Sequence, residues 1–171
     1  MRRTDPHGAT TIVAEARSSG LVYLWLTAAV VALDQLTKAA VEHSLALYQS
    51  VVVLPLLDIT RYHNTGAAFS FLAGAAGWQR WLFTALAIIV SVALVLWLRR
   101  IDRGEKALAS AVALILAGAL GNVIDRLRLG HVIDFINVHW GEHYFPAFNV
   151  ADSAITIGAA LLLLDAWLEA R

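Results

Sequence analysis

Residues 81–98 read WLFTALAIIVSVALVLWL, a run with no charged side chain, flanked by Trp78 and bounded by Trp81 and Trp97. A bilayer core about 30 Å thick takes roughly 20 helical residues to cross. Tryptophans at both ends of such a run settle at headgroup level. This stretch therefore predicts a membrane-spanning helix. Working outward, Ala107 to about Ile124 forms a second clean run. A third starts at Leu21, is apolar to Leu33 and then carries Asp34 and Lys38; a fourth starts near Val150 and meets Asp165 before Trp167. These last two reach spanning length only by taking in ionisable residues. Such residues are costly at membrane depth, and they point to function.

Composition agrees. Of 171 residues 59% are hydrophobic and 15% charged, with a mean hydropathy of +0.66. Soluble domains carry about 25% charged residues. The formal net charge is zero, so nothing suggests a nucleic-acid partner. There is no cysteine, which removes disulfides, thiolate metal sites, a cysteine nucleophile and lipid attachment to the chain itself. The first apolar run follows Arg2, Arg3 and Arg17, as in a signal peptide, but Asp34-Gln35-Leu36-Thr37-Lys38 follows it instead of a small-x-small cleavage site. It is read as a retained span.

The expected fold class is an all-α membrane protein of four transmembrane helices, with a small β-sheet (a cradle) on the outer membrane surface. Arg99, Arg100, Arg103 and Lys106 crowd one short connection, and Arg2, Arg3 and Arg17 lie in the polar stretch 1–19. The positive-inside rule puts both on the cytoplasmic side, and an even number of spans returns the C-terminus there. Residues 1–19 are expected to be a disordered cytoplasmic tail and 20–171 a single four-span domain. Two long connections, Val41 to Gln79 and Asp125 to Asn149, then lie outside. Within them Val51–Leu54, Leu56–Tyr62, Ala67–Leu72 and His131–Val138 are short apolar and β-branched runs, which predict the strands of the sheet.

Each polar cluster has a plain reading and a functional one. Asp34 and Lys38, four apart, share a helix face; they are an ion pair ending a short span, a pair shaping a cavity, or both. Asn122, Asp125 and Arg126 share a face at the outer end of span three, with Gly118 and Gly121 below them to let a helix or a substrate chain approach. Asn149-Val150-Ala151-Asp152 has the pattern of an N-cap with an acid three residues on. Yet only about 12 apolar residues, roughly 20 Å of helix, separate Asp152 from Asp165, so one acid lies at the hydrocarbon edge. Asp134 is a lone carboxylate in an apolar strand: an edge charge that blocks mispairing, or one half of a carboxylate pair with Asp152. Two carboxylates sharing a site divide protonation between them, which suits water activation without metal. Of His63, His131, His139 and His143 only the last two stand four apart, and no cysteine supports them, so no metal and no cofactor is expected. The Gly-x-Ser-x-Gly elbow of serine hydrolases is missing.

Asp34-Gln-x-Thr-Lys38, Asn64-Thr-Gly66-Ala-Ala-Phe-Ser70, Gly118-Ala-Leu-Gly-Asn122-x-x-Asp125-Arg126, His131-Val-Ile-Asp134-Phe135 and Phe148-Asn149-Val-Ala151-Asp152-Ser153 resemble, in order, the motifs of the lipoprotein signal peptidase (signal peptidase II) family. The resemblance runs from about Leu21 to Leu168. It implies a four-helix aspartic endopeptidase of the bacterial inner membrane, with both termini cytoplasmic and the active site at the outer, periplasmic face. The implied substrate is a prolipoprotein already carrying diacylglycerol, cut just before the lipidated cysteine, with membrane lipid as the other partner. It implies Asp134 and Asp152 as the catalytic pair. Asn64, Gly66, Asn122, Arg126 and Asn149 match substrate-pocket positions, and Asp34 and Lys38 match positions tied to architecture. The residue reading adds Gly118 and Asp125 as shaping the site. Two other classes compete. A proton-coupled transporter subunit wants an acid in mid-span, whereas Asp34, Asp134 and Asp152 gather at one face. A presenilin-type protease wants Gly-x-Gly-Asp within a helix, and the motif is missing.

Overall fold

The computed structural model describes residues 3–4, 10–11, 19–66 and 77–171. Two-residue strands β1 (Arg3–Thr4) and β2 (Thr10–Thr11) pair antiparallel; apart from Ser19, the remainder of the expected tail lies outside the described residues. A 3-10 turn, Gly20–Tyr23, leads into α1 (Leu24–Ser44). Strands β3 (Ser50–Leu54) and β4 (Leu57–Asn64) follow, then α2 (Trp78–Leu98) and α3 (Lys106–Arg128). Strands β5 (Val132–Trp140) and β6 (His143–Tyr144) lead to α4 (Val150–Glu169). Among the described residues, four helices are long and apolar enough to cross a membrane. The four expected spans are all present.

Helix α3 is the centre of the bundle. It packs on each of the other three and most extensively on α4. Glycines make that contact possible: a Cβ at Gly118 would strike the carbonyl of Ala151, and one at Gly158 would stand 2.7 Å from the carbonyl of Ala111. Thr27 of α1 donates to the Ala113 carbonyl of α3 at 2.9 Å. At one end of the bundle the packing is apolar, formed by Leu94, Leu98, Ile101, Ala109, Val112 and Leu116. The chain enters α1 there, with Gly20 N–H donating to Ile101 O at 2.9 Å. The opposite end is polar, with Asp34, Lys38, Asn122, Asp125, Asp134 and Asn149 buried there.

The sheet caps that polar end. Its order is β3-β4-β5-β6, antiparallel throughout, with Asn64 opposite Val132 and Tyr62 opposite Asp134. Alternate residues of β5 face opposite ways. Ile133 and Phe135 pack with Val41 of α1 in a second apolar core, which turns Asp134 to the other face. Expected strands at 51–54, 56–62 and 131–138 are present; Ala67–Leu72 lies outside the described residues. Two helices outrun the expected spans. Helix α1 continues to Ser44 and α3 to Arg128, past the charged residues read as span ends. Asp34, Lys38 and Asp125 pair with one another inside the bundle, so the helices need not stop at them.

Candidate active site

The polar end is built around a buried ion cluster. Lys38 Nζ stands 2.9 Å from Asp34 Oδ2 and 2.8 Å from Asp125 Oδ2, and all three side chains are at most 3% exposed. Gln35 Nε2 donates to Asp125 Oδ1 at 2.9 Å and to Asp34 Oδ2 at 3.2 Å. Backbone groups complete the set: Ala151 N–H donates to Asp34 Oδ1 at 2.9 Å and Ile133 N–H to Asp125 Oδ2 at 3.2 Å. The cluster thereby ties α1, α3, α4 and β5 together. Gly121 makes room for it, since a Cβ there would lie 2.6 Å from Asp34 Oδ2.

Two asparagines carry this order to two further carboxylates. Asn122 accepts from Lys38 Nζ at 3.1 Å and donates to Asp152 Oδ1 at 2.9 Å. Asn149 caps α4: its Oδ1 accepts from Asp152 N–H at 2.9 Å, and Asp152 Oδ2 accepts from Asn149 N–H at 3.2 Å. That reciprocal capping box satisfies helix-end donors. The same Asn149 donates through Nδ2 to Asp134 Oδ1 at 2.8 Å. Asp134 Oδ2 accepts from Asn64 Nδ2 at 2.9 Å. The cap residue of one carboxylate is the ligand of the other.

Asp134 and Asp152 line one cavity of about 570 Å³ with Asn64, Asn122 and Arg126. Its apolar wall includes Val132, Phe145, Phe148, Ile155 and Ile157. A second cavity of about 360 Å³, lined by Tyr62, His63, Asn137 and Tyr144, adjoins it and shares Asn64 and Asp134. Asp134 thus stands between two openings. Burial first, then the Asp152 carboxylate, push the Asp134 carboxyl up from 3.8 to about 7, against the hydrogen bonds from Asn64 and Asn149 and the charge of Lys38. Arg126 Nη2 donates to the Gly66 carbonyl at 2.9 Å. Asn64 Oδ1 accepts from Gly66 N–H at 2.9 Å, which closes a tight turn beside the cavity.

Of the residues singled out in the sequence, Asn64, Asn122, Arg126, Asp134 and Asp152 meet at the cavity. Asn149 is fully buried behind the two carboxylates, and Gly66 is reached through its carbonyl by Arg126. Gly118 and Gly121 admit α4 and the Asp34 side chain, not a substrate chain. Gln35 and the wall Phe145-Pro146-Ala147-Phe148 were assigned no role, although Gln35 and Phe148 stand within the quoted motifs. Gln35 carried a signal in its place beside Asp34; the wall carried none beyond being apolar before Asn149. His63 and His131 stack face to face at 3.7 Å between ring centroids. Burial is the largest cause lowering the pKa of each.

Residues 26–168 match the family model described as signal peptidase (SPase) II. The lipoprotein signal peptidase of Pseudomonas putida strain KT2440 is 56% identical over 154 residues, covering 89% of this chain and 90% of that protein. That of Pseudomonas aeruginosa strain PAO1 is 58% identical over 151 residues, covering 87% and 89%. A bacterial membrane enzyme solved by the in meso method at 2.3 Å is similar in structure, with a TM-score of 0.77, 36% identity and coverage of 86% of this chain and 88% of that one. A second, solved at 1.9 Å, gives 0.74 at 33% identity, covering 88% and 96%.

Proposed function

The chain belongs to the signal peptidase II family, membrane proteases that remove signal peptides from prolipoproteins, and on that premise we propose that Asp134 and Asp152 are its catalytic pair. The observation that carries this is their meeting at one cavity, linked through Asn149. In this reading Asp152 is ionised, because it sits in the first turn of α4, where the helix dipole and the donors Asn149 N–H and Asn122 Nδ2 favour an anion. It takes a proton from water as the water oxygen attacks the scissile carbonyl. Asp134, buried and raised to about 7, is protonated and donates a hydrogen bond to the carbonyl oxygen as charge builds there. When the tetrahedral intermediate collapses, the C–N bond breaks. The proton held by Asp152 passes to the leaving amine.

The substrate is a precursor already carrying diacylglycerol, cut just before the modified cysteine. The apolar wall favours this, because Ile155 and Ile157 belong to α4 and Ile157 is exposed on the flank of a span. Acyl chains can enter sideways from the bilayer while water reaches Asp134 from the second cavity. Asn64, Asn122 and Arg126 are placed to hold the peptide backbone. Gly66 and Asn149 act from behind them, and Asp34, Lys38, Gly118 and Asp125 shape the site. The Arg99–Lys106 connection lies at the opposite end of the bundle, which supports cytoplasmic termini and a site at the outer face. The exposed apolar strand Val51–Leu54 suits a sheet resting on that membrane surface.

The test is cleavage by the full chain, reconstituted in lipid, of one precursor with and without diacylglycerol. The lipidated form is cut and the bare form is not. Equal rates on both would refute lipid-dependent recognition.

A further inference from the structure

Lys38 is the single lysine or arginine buried among the described residues, at 2% exposure. An ammonium offers three donors and no acceptor. Those of Lys38 meet Asp34 Oδ2, Asp125 Oδ2 and Asn122 Oδ1 at 2.9, 2.8 and 3.1 Å. The first lies within α1 and the second joins α1 to α3. The third has a different consequence. An asparagine amide is nearly the same shape either way round, so its orientation is set by its partners. A donor-only neighbour admits only the oxygen of Asn122, which leaves Nδ2 for Asp152 Oδ1 at 2.9 Å. The other donor to Asn122 Oδ1, Asn149 Nδ2 at 3.2 Å, also faces Ile133 O at 3.3 Å and Asp134 Oδ1 at 2.8 Å. Its two hydrogens are shared over three acceptors, so it holds Asn122 less firmly than Lys38 does.

We propose that Lys38 is a positioning residue for the reaction: through Asn122 it fixes the donor that orients Asp152 and keeps it a base. This rests on Asp134 and Asp152 being the catalytic pair. Its positive charge also counts among those pulling the Asp134 carboxyl down, so it acts on both members. A role confined to joining α1 and α3 would cost stability and leave the turnover of folded protein unchanged.

Removing Lys38 alone strands two carboxylates. Two charge-conserving double variants avoid this, Lys38→Met with Asp125→Asn and Lys38→Met with Asp34→Asn, each leaving the cluster with one negative charge as in the parent. Each is purified as the full chain in detergent or nanodiscs and assayed on a lipidated fluorogenic peptide. The expected result in folded protein is a fall in kcat of about 10- to 100-fold, the scale of one charge-assisted hydrogen bond, with KM within about threefold of the parent. A folded double variant with kcat within about threefold of the parent overturns the proposal. So does failure of both to fold, which would make Lys38 architectural. Asp134→Asn is run beside them. If it stays active, the catalytic-pair reading has failed; if it is dead while the double variants keep full turnover, only the role of Lys38 has failed.

Discussion

Asn149 Nδ2 donates to Asp134 Oδ1 at 2.8 Å while the rest of the same residue caps the helix that carries Asp152. One side chain therefore couples the geometry of a strand to that of a transmembrane helix. A shift of β5 relative to α4 would be felt at both carboxylates at once.

Asp134→Asn and Asp152→Asn are each expected to reduce cleavage to below a few per cent of the parent while the protein stays inserted and folded. Turnover of a lipidated peptide, with circular dichroism and a thermal melt on the same sample, provides the check. More than a few per cent activity in either variant would remove that residue from the pair.

The pH–rate profile should be bell-shaped. Asp134 must hold its proton, and its carboxyl is raised to about 7; activity therefore falls as pH rises through about 7. The acid limb belongs to the ionised partner. The two carboxylates titrate as a coupled unit, so the limbs report the pair. A profile flat from pH 6 to about pH 9 would contradict a protonated Asp134.

Asp125→Asn should damage folding more than chemistry. Asp125 accepts from Lys38, Gln35 and Ile133 N–H, whereas Lys38 keeps Asp34 and Asn122 when the charge is lost. A loss of about 1–3 kcal/mol is expected for these buried contacts, with kcat of the folded fraction within about tenfold. Melting temperature and active-site-normalised turnover separate the two. A variant as stable as the parent but inactive would move Asp125 into the chemistry.

Acid should destabilise the protein through the stacked His63–His131 pair. Both imidazoles have their pKa lowered in the folded state, chiefly by burial. The unfolded chain then binds more protons, so stability present above the unfolded value of about 6.5 is lost as pH falls through it. Glu42 opposes the effect at both rings and Asp125 at His131, while Arg61 reinforces it at both. His63→Phe keeps the stacking and removes one titrating ring. Its melting temperature should drop less than the parent's between pH 7.5 and about pH 5; an equal drop would exonerate the pair.

Several features were legible in the residues because they depend on local order and on solvent. Four apolar runs of spanning length define four helices whatever their packing, since a backbone in hydrocarbon must satisfy its own hydrogen bonds. The short apolar and β-branched run from His131 to Val138 gives a strand, and Asn149 three residues before Asp152 gives a cap. The polar residues could be recognised as out of place, and so as candidates.

Which of them work together was decided by tertiary structure. Asp34 and Lys38 are neighbours in sequence, but their third partner Asp125 comes from α3. Asp34 accepts a hydrogen bond from Ala151, 117 residues away. Asn149, expected at the pocket wall, is fully buried behind it, because its side-chain amide bonds the Asp134 carboxylate and the Asp152 backbone N–H, which approach each other only once β5 and α4 are packed. A hydrogen bond is satisfied by a donor and an acceptor about 3 Å apart, and chain order alone does not specify which distant groups will meet at that distance.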